Sequence, residues 1–213
     1  MIRHFLIALS TLALLAGCSN PMKTGRYLID PPATGERVPD RLGTVELREV
    51  SLPEYASGDE IAWQTGDGAV RLDSRRLWAD NPQRGFTMTL ARAISDISGA
   101  TVIAEPWPLA EPPRRRLEVR VERALAQAGG TYRLSGRYFL SEDRAGGTNH
   151  ARSFDIQVPL PSDDAGVIAQ AQSAAIAALA RQIAVLGGPG AAIRTSATRP
   201  EPLFADSLAF DGF

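Results

Sequence analysis

The chain has 213 residues, 44% hydrophobic and 22% charged, with a formal net charge of −1, which excludes the basic composition of a nucleic-acid-binding protein. Cys18 is its one cysteine and Lys23 its only lysine, so there is no disulfide framework, no buried Schiff-base lysine and no GxxxxGK[ST] phosphate loop. The length suits a single domain with a core of its own.

The chain opens Met1-Ile2-Arg3-His4, runs apolar from Phe5 to Ala16 and reaches Gly17-Cys18. Basic start, apolar run and small residues predict a signal peptide over residues 1–17. As a helix the apolar run would rise roughly 18 Å, against about 30 Å of hydrocarbon core, too little for a permanent span. Leu15-Ala16-Gly17-Cys18 resembles the lipobox of bacterial lipoproteins, which implies cleavage before Cys18 and lipid attachment on its sulfur. Two or more acyl chains anchor a protein stably. Residues 18–25, small and polar, read as the lipidated tether. Loss of Arg3 and His4 leaves a net charge of −2 and one histidine, His150.

Tyr27-Leu28-Ile29 reads as a first strand and Val45 to Val50 as a second, both bounded by proline or glycine. Ile61–Gln64 and Ala69–Leu72 flank Gly66-Asp67-Gly68, a turn that predicts a hairpin. Pro82 opens a helix whose stripe is Phe86, Leu90, Ile94 and Ile97; Gly99 closes it, and Thr101–Ala104 resumes as a strand. A proline-rich loop from Pro106 to Pro113 leads into Arg114-Arg115-Arg116. Leu117, Val119 and Val121 alternate with charged residues, and after Gly129-Gly130 a second alternating run reaches Leu140, predicting a long antiparallel hairpin with one buried face. Phe154, Ile156 and Val158 mark a third strand. Ser162-Asp163-Asp164 caps a helix with the stripe Ile168, Ile176, Leu179, Ile183 and Leu186, and Gly187-Gly188-Pro189-Gly190 stops it. The expectation is an α+β fold: a two-layer, mainly antiparallel sheet with two helices on one face, spanning residues 26–188. Residues 189–213 read as a disordered tail.

Catalytic chemistry is hard to assemble. A lone loop histidine without thiols makes a poor metal site. A Ser-His-Asp triad around His150 lacks a GxSxG elbow, and Ser135-Gly136 lies in a strand pattern. Glu142-Asp143 and Asp163-Asp164 read as loop and cap carboxylates, since a glycosidase pair must face across a cleft. The expectation is a non-enzyme with no cofactor and no metal. Of Trp63, Trp78 and Trp107, the last, between Pro106 and Pro108, is the best candidate for a surface contact; with Arg114, Arg115 and Arg116 it forms the candidate partner-docking loop.

Val50-Ser51-Leu52-Pro53-Glu54-Tyr55, then Ile61, then Leu77-Trp78-Ala79-Asp80 before the first long helix, resemble the ABC-type transport auxiliary lipoproteins of the paraquat-inducible protein C type. With the lipobox in front and Tyr27-Leu28 near the start, the similarity spans residues 15 to 187. The chain departs from the pattern at Ala56-Ser57-Gly58-Asp59. The resemblance implies a non-enzymatic accessory of a lipid-transport system built from an ATPase, a permease and a periplasmic MCE-domain protein, docking the MCE component at the outer membrane. Homo-oligomers are compatible with it. Ser19 after the lipidated cysteine agrees, because aspartate there signals inner-membrane retention.

Replacing the single thiol tests the anchor. Cys18→Ala is expected to abolish incorporation of a clickable fatty acid and to move the protein out of the membrane fraction; unchanged labelling would exclude Cys18 as the attachment site.

Overall fold

In the computed structural model, which describes residues 24–32, 35, 37–142, 144 and 146–194, the alternating run after the proline loop forms the predicted hairpin. The signal peptide, Cys18, most of the tether, Asp143 and residues 195–213 lie outside the described residues. The elements in chain order are β1 (Gly25–Tyr27), β2 (Thr44–Leu47), α1 (Glu54–Ser57), β3 (Trp63–Gln64), β4 (Val70–Arg71), β5 (Arg76–Trp78), α2 (Pro82–Ser98), β6 (Thr101–Ala104), β7 (Arg115–Gln127), β8 (Thr131–Glu142), β9 (Thr148–Pro159), α3 (Ala165–Ala184) and β10 (Gly190–Arg194).

The main sheet runs β10-β9-β8-β7-β2-β6, with the β3–β4 hairpin joined to β7 through Trp63 and Ala126. From β7 to β10 the pairing is antiparallel, whereas β2 lies parallel to both β6 and β7. The two long helices pack on each other and on one face of this sheet, so the α+β architecture holds. Leu117, Val119, Tyr132, Leu134, Tyr138 and Leu140 meet Phe86, Leu90, Ile94, Ile176, Leu179 and Ile183 in one core. Tyr132 and Tyr138 satisfy their buried hydroxyls, donating to Gln172 Oε1 at 2.8 Å and to the Gly187 carbonyl at 2.6 Å.

The opposite face carries charge. Arg120 donates to Glu118, Arg48 lies 3.6 Å from Glu118, and Arg133 grips Asp155 with two bonds of 2.8 and 2.7 Å. Arg120 and Arg137 stand over the Phe139 ring at 5.2 and 5.4 Å.

Strict alternation fails at one place. Between Val121 and Arg123 the β7–β8 register slips by a bulge, so that Ala124 and Ala126, rather than Arg123, join the helix-side core, and Leu125 is buried outside that cluster. Opposite Val121 stands Gly136, where a Cβ would lie 2.2 Å from the Arg120 carbonyl oxygen. No larger residue fits without moving backbone.

The helix ends differ in how far their expected caps materialise. Asn81 accepts from the Arg84 amide at 3.0 Å and Gly99 takes φ 73° at the other end of α2. Asp164 stands at the N-cap of α3 but makes no side-chain cap bond; it accepts from Ser162 Oγ at 2.8 Å instead.

Two expectations change. The first strand stops at Tyr27 and pairs in parallel with β5, and the following residues cross the helical layer. There the Asp30 amide donates to Ser173 Oγ of α3 at 3.0 Å and Thr89 of α2 donates to the Ile29 carbonyl at 3.4 Å. The chain also stays in the fold after residue 188. Gly190–Arg194 forms β10 on the edge of β9, so this stretch is not a disordered tail. Gly188 and Gly190 have φ of 99° and 139°, and Cβ atoms there would lie 2.4 and 2.0 Å from the Ser153 and Ala151 carbonyl oxygens. The glycine run that ends α3 also lets the backbone press against β9.

Gly136→Ala is expected to cost about 2–3 kcal/mol, the range for overpacking against an unyielding neighbour, read as a lower urea midpoint. Gly66→Ala, with nothing within 4 Å of its Cβ position, should move the midpoint by less than about 0.5 kcal/mol equivalent.

Candidate functional site

The loop between β6 and β7 is built on Glu46 of β2, whose side chain points to the charged face. Its Oε1 accepts the Trp107 amide at 3.1 Å and its Oε2 lies 3.4 Å from Arg116 Nε. The Trp107 indole donates to the Glu111 carbonyl at 2.6 Å, folding the proline-rich segment over the half-buried ring. Leu109 at the tip is exposed. Arg114 is tied in by its amide, which donates to Thr44 Oγ1 at 3.0 Å.

The three arginines separate. Arg114 and Arg116 are exposed. The Arg115 side chain is only 14% accessible; its guanidinium donates to the Arg41 and Leu42 carbonyls and lies 3.7 Å from Glu142. Arg114 Nε donates to the other oxygen of Glu142 at 3.1 Å. Glu142 is 10% accessible, and the hydrogen bond from Arg114, with the Arg115 charge and the Thr148 amide, holds its carboxyl below the usual glutamate range. Alternation puts Arg115, like Leu117, on the core side, so it works as a structural residue at the loop's base.

Beside Arg115 stand His150 and Arg152 of β9. His150 shares a cross-strand row with Leu140 and Ala192, which aims it at the core side, while Ser135 occupies the charged face. The two cannot form a nucleophile–base pair. The Nδ1 of His150 and the Nε atoms of Arg115 and Arg152 are buried without a hydrogen-bond partner. Burial, then the charges of Arg152 and Arg115, push the imidazole below its ordinary value.

The other singled-out residues have local explanations. Trp78 is 5% accessible and belongs to the core, and Trp63 carries the Arg76 guanidinium 4.7 Å above its ring. Gly66-Asp67-Gly68 makes the β3–β4 turn, and Asp67 fills it, accepting from Thr65 Oγ1 at 2.5 Å and from the Ala69 amide at 3.2 Å. Asp163 accepts from Arg76 through its carbonyl at 2.9 Å. Among the described residues, no three His, Cys, Asp or Glu side chains converge as a metal site, and no helix is long and apolar enough to cross a membrane. Sequence reasoning missed Glu46, and it took Glu142 for a loop carboxylate, whereas Glu142 ends β8, is 10% accessible and holds Arg114 and Arg115. Strand alternation put Glu46 on the polar face, but its place beside Arg116 depends on the parallel pairing of β2 with β7, which has no local signal.

The fold is a mainly antiparallel sheet with two long helices on one face and a braced proline-rich loop at its strand ends. A family model described as "ABC-type transport auxiliary lipoprotein component" matches residues 27–184, and the chain belongs to that family. It is thus a lipoprotein component associated with an ABC transport system. Two solved structures share the fold. One, titled as an uncharacterized protein, is 19% identical with a TM-score of 0.59, over 71% of this chain and 98% of its own. The other, protein XCC0632 from Xanthomonas campestris, described as DUF330, is 15% identical with a TM-score of 0.54, over 76% and 93%. No curated protein matches the chain.

Two measurements follow from the electrostatics. The His150 imidazole is expected to titrate by NMR with a midpoint below 6.5. Because the unfolded chain binds that proton more readily, its contribution to stability is present above about pH 6.5 and is lost as pH falls through the lower folded value. Glu142→Gln should cost about 2 kcal/mol at pH 7, between the limits for exposed and buried pairs, measured by urea unfolding. The wild-type contribution of this carboxylate is full above the usual value near 4.5 and disappears as pH falls below it, so the variant should show a shallower acid dependence there.

Proposed function

We propose that the chain is the lipid-anchored, non-enzymatic auxiliary component of an ABC/MCE-type lipid transport system, which docks the periplasmic MCE-domain protein at the outer membrane. Family membership supports the transport setting. The observation that carries docking is the Trp107 loop. Its ring and backbone are fixed by Glu46 and Glu111 before any partner arrives, with Leu109, Arg114 and Arg116 exposed around it. A pre-ordered aromatic loses little entropy on burial, and arginines beside it supply directional bonds to carboxylates or phosphates. The energy for transport comes, in this reading, from the partner ATPase through its permease. The anchor is Cys18, with Ser19 behind it favouring release from the inner membrane. Arg115 drops out of the contact set because its guanidinium is spent on Arg41, Leu42 and Glu142.

Trp107→Ala combined with Arg116→Ala is expected to weaken pull-down of the MCE-domain protein by roughly thirtyfold or more, the loss of one interface hot spot, while the thermal transition stays in place. Unchanged pull-down would exclude this loop. If the wild-type protein captures no MCE-domain protein and its deletion leaves outer-membrane lipid composition intact, the transport role fails, and a structural lipoprotein of another envelope complex becomes the better reading.

A further inference from the structure

The two most exposed of the large apolar side chains described are Leu28, at 69%, and Met88, at 57%. They stand together. Leu28 follows β1 where the chain crosses the helical layer, Met88 lies on the outward side of α2, and both line one groove of about 260 Å³ with Tyr27, Ile29 and Gly85. The buried Trp78 closes its floor. Arg84 and Arg92 stand exposed one turn to either side of Met88 on α2; Arg84 lies 3.7 Å from Asp80, which also lines the groove, and Arg92 2.9 Å from Asp30. Those ion pairs are solvent-facing and leave each guanidinium donors to spare.

Chain length says what covers this patch. Gly25, the first residue of β1, comes seven residues after Cys18, and seven extended residues reach at most about 25 Å. The groove is therefore held close to wherever Cys18 is anchored, whereas the charged face of the main sheet lies on the far side of the helices. Tethering keeps the local concentration of membrane high, so a modest apolar contact suffices. Two exposed apolar side chains flanked along α2 by two arginines with donors to spare have the composition of an interfacial membrane contact: the apolar groups enter the headgroup–acyl boundary and the arginines meet lipid phosphates.

We infer that the groove of Tyr27, Leu28 and Met88 is the face on which the anchored domain rests against its own membrane. The inference rests on the reading of Cys18 as lipidated. It fixes the orientation of the domain: helices toward the bilayer, charged sheet face toward the periplasm.

The test uses the full, natively lipidated protein in vesicles of phosphatidylethanolamine and phosphatidylglycerol. With Cys18 acylated, Met88→Cys supplies the sole free thiol for an environment-sensitive fluorophore, and Ser141→Cys, on the charged sheet face, supplies the control. Brominated acyl chains are expected to quench the label at 88 at least about threefold more than at 141, as for a group at interfacial depth, and adding Leu28→Asp should remove the difference. Equal quenching at the two positions would overturn the orientation. So would a label at 88 that becomes buried with rising protein concentration yet stays unquenched, which would mark the groove as a contact between copies. Flotation of the unlabelled protein with the vesicles reads the anchor separately: failure to float would overturn the lipidation of Cys18 and this orientation with it, whereas floating with equal quenching would overturn the orientation alone.

Discussion

β7 lies inside the sheet, and both edges of its thirteen residues have to find partners. β8 covers one edge continuously. The other edge is covered piecewise by the N-terminal half: β2 pairs with Arg115 to Leu117, the Arg48 amide donates to the Leu117 carbonyl, and Ser51 donates to Val119 and accepts from Val121. Beyond the bulge, Tyr55 accepts from the Ala124 amide at 3.3 Å and Trp63 pairs with Ala126. A buried amide left without a partner costs about 1–3 kcal/mol, so the segment from Val50 to Tyr55 has a structural task. It follows an irregular edge that a regular strand could not follow, and Val50 is pinned to α2 by its bond to Thr87 Oγ1 at 2.9 Å. The Val50 to Tyr55 part of the family resemblance is thus the segment that completes the central strand.

Much of the fold was legible in the sequence because most elements announce themselves locally. The stripe from Phe86 to Ile97 and the alternation from Leu117 to Leu140 depend only on the period of the backbone. What stayed hidden depended on partners distant in sequence. Nothing local says that Val45 pairs with Arg115 in parallel, that Ala124 replaces Arg123 on the core side, or that the glycines after α3 serve a further strand. The same division runs through the candidate site. The proline-flanked tryptophan and the arginine run could be read directly, though the ring is half-buried against its own loop. That Arg115 points inward, to two carbonyls and Glu142, required knowing which face of the strand it occupies.

A sheet covered on one face only also limits where recognition can occur. The core side of the sheet is filled by two helices, so binding groups lie on the charged face, on the edges, in the loops at the strand ends or on the outer surface of the helices. The Trp107 loop belongs to the last class, and the Glu46 and Glu142 carboxylates that brace it come from strands on either side of β7. The residues of the proposed docking loop are thus positioned by the sheet instead of by the loop alone, an arrangement that keeps a surface in one conformation.

The pairing of β2 with β7 has a consequence for how the protein reaches its compartment. A chain exported N-terminus first delivers β2 and the edge-following segment long before the strand they pair with, and β10 closes the sheet only with the last residues described. Contacts so distant in sequence form late and slowly. For the exported precursor proposed above, this means passing the translocation channel without a stable domain to block it, while half-delivered strands present open hydrogen-bonding edges on the far side. On that route, protection of open strand edges would count for more in this architecture than in a helical domain of the same length, whose contacts are local.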